Sequence, residues 1–409
     1  MTSPDVSSEI GKLKQVLVHR PGVAIARLTP ENKEALLFDD LLWVSRAQRE
    51  HDDFVAMMEE RGTEVLYFDK LLGEVLDDAG ARDEVLRLAF NPAQCGPHVA
   101  TELVSALADA PTRAVVDLLI GGIMHRELVD WDVESVFADL MADSLAYVLR
   151  PLPNLLFMRD NAAWIRGGLC MNVLATPARS RESEYMRMIY RHHPRFRDVR
   201  FPVWFGKEPG DAYPATIEGG DVLVLTDDTL MVGIGERTAP AAVEILAQRL
   251  FAQSTIRRVI AVHLKRDRSV MHLDTVFTMV DVDKFNVFPG MLERVDVHVI
   301  TPGMGPRLQV EHVHDLATSL YDTFERADLV FIPTGGDAIG MLREQWDDGN
   351  NTLALEPGLV VAYTRNVETN RRLVDAGVEV LELDSSELCR GRGGSRCMTQ
   401  PIVREPVPR

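Results

Sequence analysis

An α/β fold, closed and pseudo-symmetric, is what this sequence predicts. Three observations carry that reading. Apolar runs recur in pairs split by Asp, Gly or Pro turns, as in β-hairpins. Amphipathic helical stretches separate the pairs. One long segment near the start is helical in pattern throughout, so the expected architecture is one domain over residues 1–409 with an all-helical insertion over 71–149 after the first unit.

The units run in order. Lys14 to His19 forms a short strand that ends at Arg20-Pro21-Gly22. Asn154 to Asp160 and Ala162 to Ile165 make a second pair. Asp221 to Leu225 and Leu230 to Ile234 make a third, around Asp227-Asp228. Asp274 to Val280 and Phe285 to Phe288 make a fourth, and Thr352 to Leu355 with Leu359 to Tyr363 a fifth, turning at Pro357-Gly358. Five similar units suggest closure rather than an open doubly wound sheet. Between them, Ser45 and Gln48 have the spacing of a capping box opening a helix that ends near Gly62. Ala239 to Phe251 and Val313 to Phe324 each place apolar residues on one helical face. From Leu71 to Ala146 the pattern is helical, broken at Pro92, Pro97, Pro111 and Gly121-Gly122.

Composition bounds the function. With 46% hydrophobic and 26% charged residues the chain can bury a large core. A net charge of −18 argues against nucleic acid or anionic membranes as partners. No apolar run is long enough to span a bilayer. Met1-Thr2-Ser3-Pro4-Asp5 has neither a basic nor an apolar leader region, so no signal peptide is expected. Four scattered cysteines, Cys95, Cys170, Cys389 and Cys397, form no C-x-x-C pair, which suits free thiols in a reducing cytoplasm.

The chemistry gathers in a few places. Gly391-Arg392-Gly393-Gly394-Ser395-Arg396-Cys397 sets one thiol after a glycine-rich loop. Glycine lets backbone approach a ligand, and neighbouring arginines favour the thiolate, the nucleophilic form. A phosphate-binding loop or an inert buried cysteine would have the same pattern. His272-Leu273-Asp274 opens an apolar run; on a strand its imidazole and carboxylate would share a face, as a general acid/base beside a cation holder or as two metal ligands. Glu218-Gly219-Gly220-Asp221 and Met158-Arg159-Asp160 set further carboxylates at strand ends, where turns and salt bridges are the plainer reading. Taken together, one Cys, one His and several carboxylates match what a guanidinium demands. That cation keeps its proton in water, its carbon is a poor electrophile, and carboxylates must grip it while a thiolate attacks and a histidine protonates the leaving ammonia.

The chain resembles the arginine deiminases, in the guanidino-group-modifying superfamily. The resemblance runs through Leu36-Leu37-Phe38-Asp39-Asp40, Leu152-Pro153-Asn154-Leu155-Leu156-Phe157, Glu218-Gly219-Gly220-Asp221, Gly235-Glu236-Arg237, Met271-His272-Leu273-Asp274-Thr275-Val276, Arg343 to Asn351, and Gly391 to Gly394 before Cys397-Met398. It implies a five-fold pseudo-symmetric α/β propeller of ββαβ-type units. The helical insertion is likewise a family feature. It implies hydrolysis of free L-arginine to L-citrulline and ammonia, with water and no cofactor or metal. Cys397 would form a covalent amidino intermediate. His272 would be general acid and base, Asp160 and Asp274 would hold the guanidinium, and Glu218 would orient the site. Asn154, Arg179 and Arg237 would bind the α-carboxylate, Phe157 would pack on the aliphatic stem, Gly391 would meet the α-amino group, and Arg392 would gate the site. A homodimer or homotetramer is implied as well. The chain departs from the common pattern at Met158, at Asn161 and at Arg396, where a histidine is usual; Arg396 beside Cys397 is expected to favour the thiolate. Alternatives are a relative or amidinotransferase acting on another guanidine, a metal-dependent hydrolase using His272, Asp274, Asp221 and Glu218, and a non-catalytic arginine sensor.

Overall fold

The computed structural model describes residues 3–133, 145–208, 212–293 and 295–407. The chain opens with strand β1 (Leu13–Val18), followed by a helix over Val44–Glu60 and strand β2 (Glu64–Tyr67), which pairs in parallel with β1. Helices over Phe68–Leu76, Ala79–Ala89, Pro97–Ala108 and Thr112–Gly121 come next. They bury Leu72, Val85, Leu103, Val115 and Leu119 against one another. A two-stranded ribbon, β3 (Ile123–Met124) with β4 (Tyr147–Leu149), closes that segment. The stretch 134–144 of the expected insertion lies outside the described residues.

The remaining strands follow a repeated rule. β5 (Ala162–Ile165) and β6 (Gly168–Met171) are antiparallel, and β7 (Val203–Phe205) joins β6 in parallel after the helix Ser180–His192. β8 (Val222–Val224), β9 (Thr229–Ile234) and β10 (Arg258–His263) repeat this around the helix Pro240–Gln253. β11 (Phe277–Asp281) and β12 (Lys284–Val287) form the next hairpin. β13 (Val297–Pro302) and β14 (Leu308–Val313) instead extend the β8–β10 sheet on its far side, β13 against β10 and β14 outermost. The helix Leu316–Phe324 then leads to β15 (Val330–Pro333), parallel to β12. β16 (Leu353–Glu356), β17 (Leu359–Tyr363) and β18 (Glu379–Leu383) follow the same rule, with the helix Val367–Asp375 between the last two. The last strand, β19 (Gln400–Arg404), returns to pair antiparallel with β1. Asp5 also bonds along β19, so both ends of the described chain lie in one sheet. Cys397 precedes β19 directly, and the closing of the two ends therefore fixes its position.

Three local expectations differ. Asn154 to Asp160 is not a strand but two 3₁₀ turns, Pro153–Leu156 and Met158–Asp160, and the hairpin is β5–β6 instead. Side-chain donors take the carbonyls that a sheet partner would otherwise bind: Arg179 donates to the carbonyls of Asn154 (3.2 Å) and Phe157 (3.3 Å), and Asn172 to that of Asp160 (2.7 Å). The helix at Val44 begins one residue before Ser45, so Ser45 caps nothing; Trp43 is its N-cap and donates its N–H to Glu387 (2.7 Å). Val313 belongs to β14, and Asp315 caps the following helix by accepting from the Thr318 N–H.

The hairpin β5–β6 turns through Arg166 and Gly167, both at positive φ, which matches the right-handed twist of its strands. The next residue, Gly168, faces the buried indole of Trp204, whose Nε1 donates to the Ile165 carbonyl (2.7 Å). A Cβ at Gly168 would lie 2.2 Å from that ring. A rigid, hydrogen-bonded indole cannot yield cheaply, so Gly168→Ala should destabilise the fold by about 1–3 kcal/mol. Thermal unfolding measures this, and an unchanged midpoint would contradict the packing described.

Candidate functional site

His272 is extended, but the next three residues form a 3₁₀ turn rather than a strand. Two contacts impose the turn. Asp221 Oδ1 accepts the Leu273 N–H (2.9 Å), and the Thr275 hydroxyl donates to the His272 carbonyl (2.6 Å). His272 and Asp274 therefore do not point together from one strand face. His272 turns towards Asp160 and Glu218, whereas Asp274 turns towards Arg396 and Cys397.

His272 Nε2 lies 2.8 Å from Glu218 Oε2, and its Nδ1 lies 3.8 Å from Asp160 Oδ1. All three side chains are buried. Glu218 Oε1 accepts the Ala175 N–H (2.9 Å). Asp160 accepts from Arg179 Nη1 (2.6 Å) and from the Gly220 N–H (3.1 Å). Gly220 is required by space: a Cβ there would lie 2.7 Å from the imidazole. Burial works against a charged imidazole, but Asp160, Glu218 and Asp221 together raise the His272 pKa to about 10. Burial pushes Asp160 and Glu218 up, yet His272 and the neighbouring arginines hold both below the usual carboxylate range. The site thus rests as a buried imidazolium between carboxylates.

Cys397 lies on the other side. Its N–H donates to Asn351 Oδ1 (2.9 Å), and its carbonyl accepts from the Arg159 N–H (3.1 Å). Its Sγ is 3.7 Å from Asp274 Oδ2. That same oxygen accepts from Arg396 Nη1 (2.7 Å), and Arg396 Nε donates to Glu9 (2.9 Å). The other oxygen, Asp274 Oδ1, is buried without a hydrogen-bond partner. Burial raises the thiol pKa well above its ordinary value, and Asp274, Asp160 and Asp348 add to it; Arg396 opposes them and is outweighed. Arg396 thus acts in the expected direction, towards the thiolate, but burial and the three carboxylates outweigh it and Cys397 rests as a thiol.

The remaining expected residues line one cavity with His272, Asp160 and Cys397: Asn154, Phe157, Arg179, Arg237, Gly391 and Arg392. Arg237 Nε and Arg392 Nε and Nη2 are buried there without hydrogen-bond partners. Asn154 and Arg179 are engaged, Asn154 Nδ2 with the Leu36 carbonyl (2.7 Å) and Arg179 with Asp160 and Glu182. Arg392 stacks on Trp346, its guanidinium 3.7 Å from the ring centroid. Phe157 packs under the loop, where a Cβ at Gly391 would lie 2.8 Å and one at Gly393 2.3 Å from its ring. The cavity holds about 20 Å³, room for a water rather than an amino acid.

The four residues of the metal alternative do not converge. Among the described residues, the donors close enough to hold an ion are those of Asp160, Glu218 and His272. Asp221 is committed to Thr238 and Leu273, and Asp274 to Arg396.

Three supporting residues escape a reading of the sequence. Glu9 reaches Arg396 from the far end of the chain, and no motif announces it. Glu50 is buried and accepts the N–H groups of Glu387 and Leu388 (both 3.0 Å), anchoring the loop that leads to Gly391. Asn351 holds both the Cys397 N–H and the Asp274 carbonyl (3.2 Å); the polar string Asp347 to Asn351 is its only signal.

The family model described as arginine deiminase matches residues 34–404. The arginine deiminase of Levilactobacillus brevis is 43% identical over the whole of both chains, and that of Bacillus thuringiensis subsp. konkukian is 41% identical over 98% of each. An amidinotransferase of saxitoxin biosynthesis from Microseira wollei has a similar fold, with a TM-score of 0.58 and 13% identity over 99% of this chain and 98% of that one. So has the substrate-bound N-terminal domain of a cyanobacterial arginine dihydrolase, with a TM-score of 0.54 and 13% identity over 95% and 98%. The α/β fold is thus that of guanidino-modifying proteins, and the chain belongs to the arginine deiminase family.

Proposed function

We propose that this chain hydrolyses free L-arginine to L-citrulline and ammonia at Cys397. The carrying observation is the buried set of carboxylates around one thiol and one imidazolium, with Asp274 Oδ2 3.7 Å from Sγ and the other Asp274 oxygen left open. Asp160 and Asp274 grip the guanidinium between them. As the cation enters, it offsets the charges that hold the thiol protonated, the thiol proton leaves to solvent, and the thiolate attacks the guanidinium carbon. His272 donates its proton to the departing nitrogen, and ammonia leaves with its bonding pair. The neutral imidazole then takes a proton from water, hydroxide adds to the thiouronium carbon, and the C–S bond breaks as the hydroxyl proton passes to the leaving sulfur, releasing citrulline and restoring the thiol. Glu218 keeps His272 oriented through both steps. Water is the only co-reactant.

Arg237 and Arg392, whose buried nitrogens have donors to spare, meet the α-carboxylate; Asn154 and Arg179 join by exchanging partners. Phe157 lies along the aliphatic stem and the Gly391 carbonyl meets the α-amino group. The cavity is too small for arginine, so the loop carrying Arg392 lifts to admit it, and the stacking of Arg392 on Trp346 is the latch. We further propose that the sheets close into a five-bladed propeller, that residues 71–149 form a helical insertion within this one domain, and that the chain works in the cytoplasm as a homodimer or homotetramer. Four three-stranded sheets and the β8–β10 part of a five-stranded one share one pattern, with β19 completing the first, and support the closure. No helix is long and apolar enough to cross a membrane, among the described residues.

Citrulline release from L-arginine tests the reading, beside a panel of agmatine, methylated arginines and amine acceptors. Turnover should be confined to L-arginine, and Cys397→Ser should abolish it while unfolding at the same temperature. Folded protein that releases no citrulline at any pH would overturn it. A second test concerns charge. The His272 pKa is raised from 6.5 to about 10, so its stabilising contribution is complete below pH 6.5 and is lost as pH rises through 10. Urea midpoints of the wild type should fall across that window, and a His272→Asn variant should lack this component. Parallel profiles would show that the imidazolium is not held as described.

A further inference from the structure

Four of the chain's eleven histidines lie together, far along the sequence from the site chemistry. His263 ends β10, His298 lies on β13, His312 lies on β14, and His314 follows the end of β14. β13 and β14 pair so that His298 is directly opposite His312. β10 and β13 pair with Ala261 opposite His298, and the His263 N–H donates to the Asp296 carbonyl (2.9 Å). Opposite residues, and residues two apart on a strand, project to the same face. His263, Asp296, His298, His312 and His314 therefore share one face across three adjacent strands.

Their side chains have already approached. Asp296 Oδ2 is 3.8 Å from His263 Nδ1, and its Oδ1 is 3.8 Å from His312 Nε2. The rings of His298 and His312 are 5.0 Å apart, and those of His312 and His314 6.0 Å. Donors bound to one zinc ion at about 2.0–2.1 Å lie roughly 3.3–3.5 Å from one another in a tetrahedron. The gaps here exceed that by a few tenths of an ångström or by one ring rotation. No three of these donors converge within 4.8 Å as the rings now stand. Asp296, His263 and His312 are more than half exposed, so their rotation is unhindered. An edge strand needs only polar, solvated side chains on such a face. Two imidazoles on one carboxylate, with two more rings against one of them, serve a narrower purpose.

We propose that this face is a binding site for a borderline divalent transition metal of the zinc class, with His298, His312 and Asp296 as the core ligands and His263 or His314 completing the set. Nitrogen donors exclude the hard ions magnesium and calcium, and the lack of a thiolate disfavours copper(I). The ion would tie β10, β13 and β14 together at the sheet's outer edge, and so raise the unfolding temperature through binding to the folded state alone.

Zinc titration of metal-stripped, full-length protein by calorimetry tests this. The reference is the His298→Asn/His312→Asn double variant, and Asp296→Asn is a second, milder one. The buried Asp160, Glu218 and His272 remain in every protein, so any zinc they take appears equally in all the isotherms. The wild type should bind one zinc equivalent that the double variant loses and that Asp296→Asn holds at least tenfold more weakly, with zinc raising the unfolding temperature of the wild type more than that of either variant. Citrulline formation in the absence of metal should be the same in all three, which establishes that the variants are folded. If the double variant does not fold, the Asp296→Asn comparison decides alone. Superimposable isotherms, or no zinc binding by the wild type at micromolar concentrations, would overturn the proposal.

Discussion

A carboxylate taken out of water must be matched by a cation and by hydrogen bonds, or it does not stay ionised. Here Asp160, Glu218 and Asp274 are all buried around a small cavity. Arg179 and His272 balance Asp160, His272 and Arg237 balance Glu218, and Arg396 balances Asp274. Much of the local structure follows from these pairings. Residues 153–160 coil into 3₁₀ turns because Arg179 needs their carbonyls as well as the Asp160 carboxylate. The Glu-Gly-Gly-Asp segment carries glycines because the Arg159 carbonyl and the His272 ring occupy the space that side chains at Gly219 and Gly220 would fill. The turn at His272 exists because Asp221 holds the Leu273 N–H.

The matching is incomplete at three points, and these are where a ligand has something to add. Asp274 Oδ1 lacks a donor, and Arg237 Nε and Arg392 Nε and Nη2 lack acceptors. A zwitterionic guanidino acid brings donors at one end and acceptors at the other. Arg396 decides which Asp274 oxygen stays open. It is fixed in turn by Glu9, whose own pKa burial raises but which Arg396, Arg159 and Arg404 bring below the ordinary value. The N-terminal segment thus reaches the loop before Cys397 through one buried charge chain.

Much of this was legible in the residue types. A single cysteine after glycines, one histidine and several carboxylates state a chemistry, and the third, fourth and fifth hairpins were visible as paired apolar runs. What stayed hidden was geometry set by distant partners. Asp160 and His272 read as strand residues because apolar runs flank them, but side chains far along the chain, Arg179 and Asp221, claim the backbone groups a sheet would use. Ser45 has a cap's spacing, yet Glu387 sets the helix start at Trp43. Arg396 favours the thiolate, as its adjacency to Cys397 suggests, whereas its pairing with Glu9 and Asp274 and the carboxylates that outweigh it are not visible in sequence. The β13–β14 extension also breaks the regular alternation of hairpin and helix.

The central claim is that Cys397 rests as a thiol in a cage of carboxylates and ionises when a cation fills the cage. Its alkylation rate against pH, followed on the Cys397 peptide by mass spectrometry with and without the unreactive cationic amino acid L-lysine, tests this most directly. The account predicts a midpoint above the ordinary thiol value of 9.0 in the free protein, moving to lower pH when L-lysine is bound. A midpoint near neutrality in the free protein would contradict it.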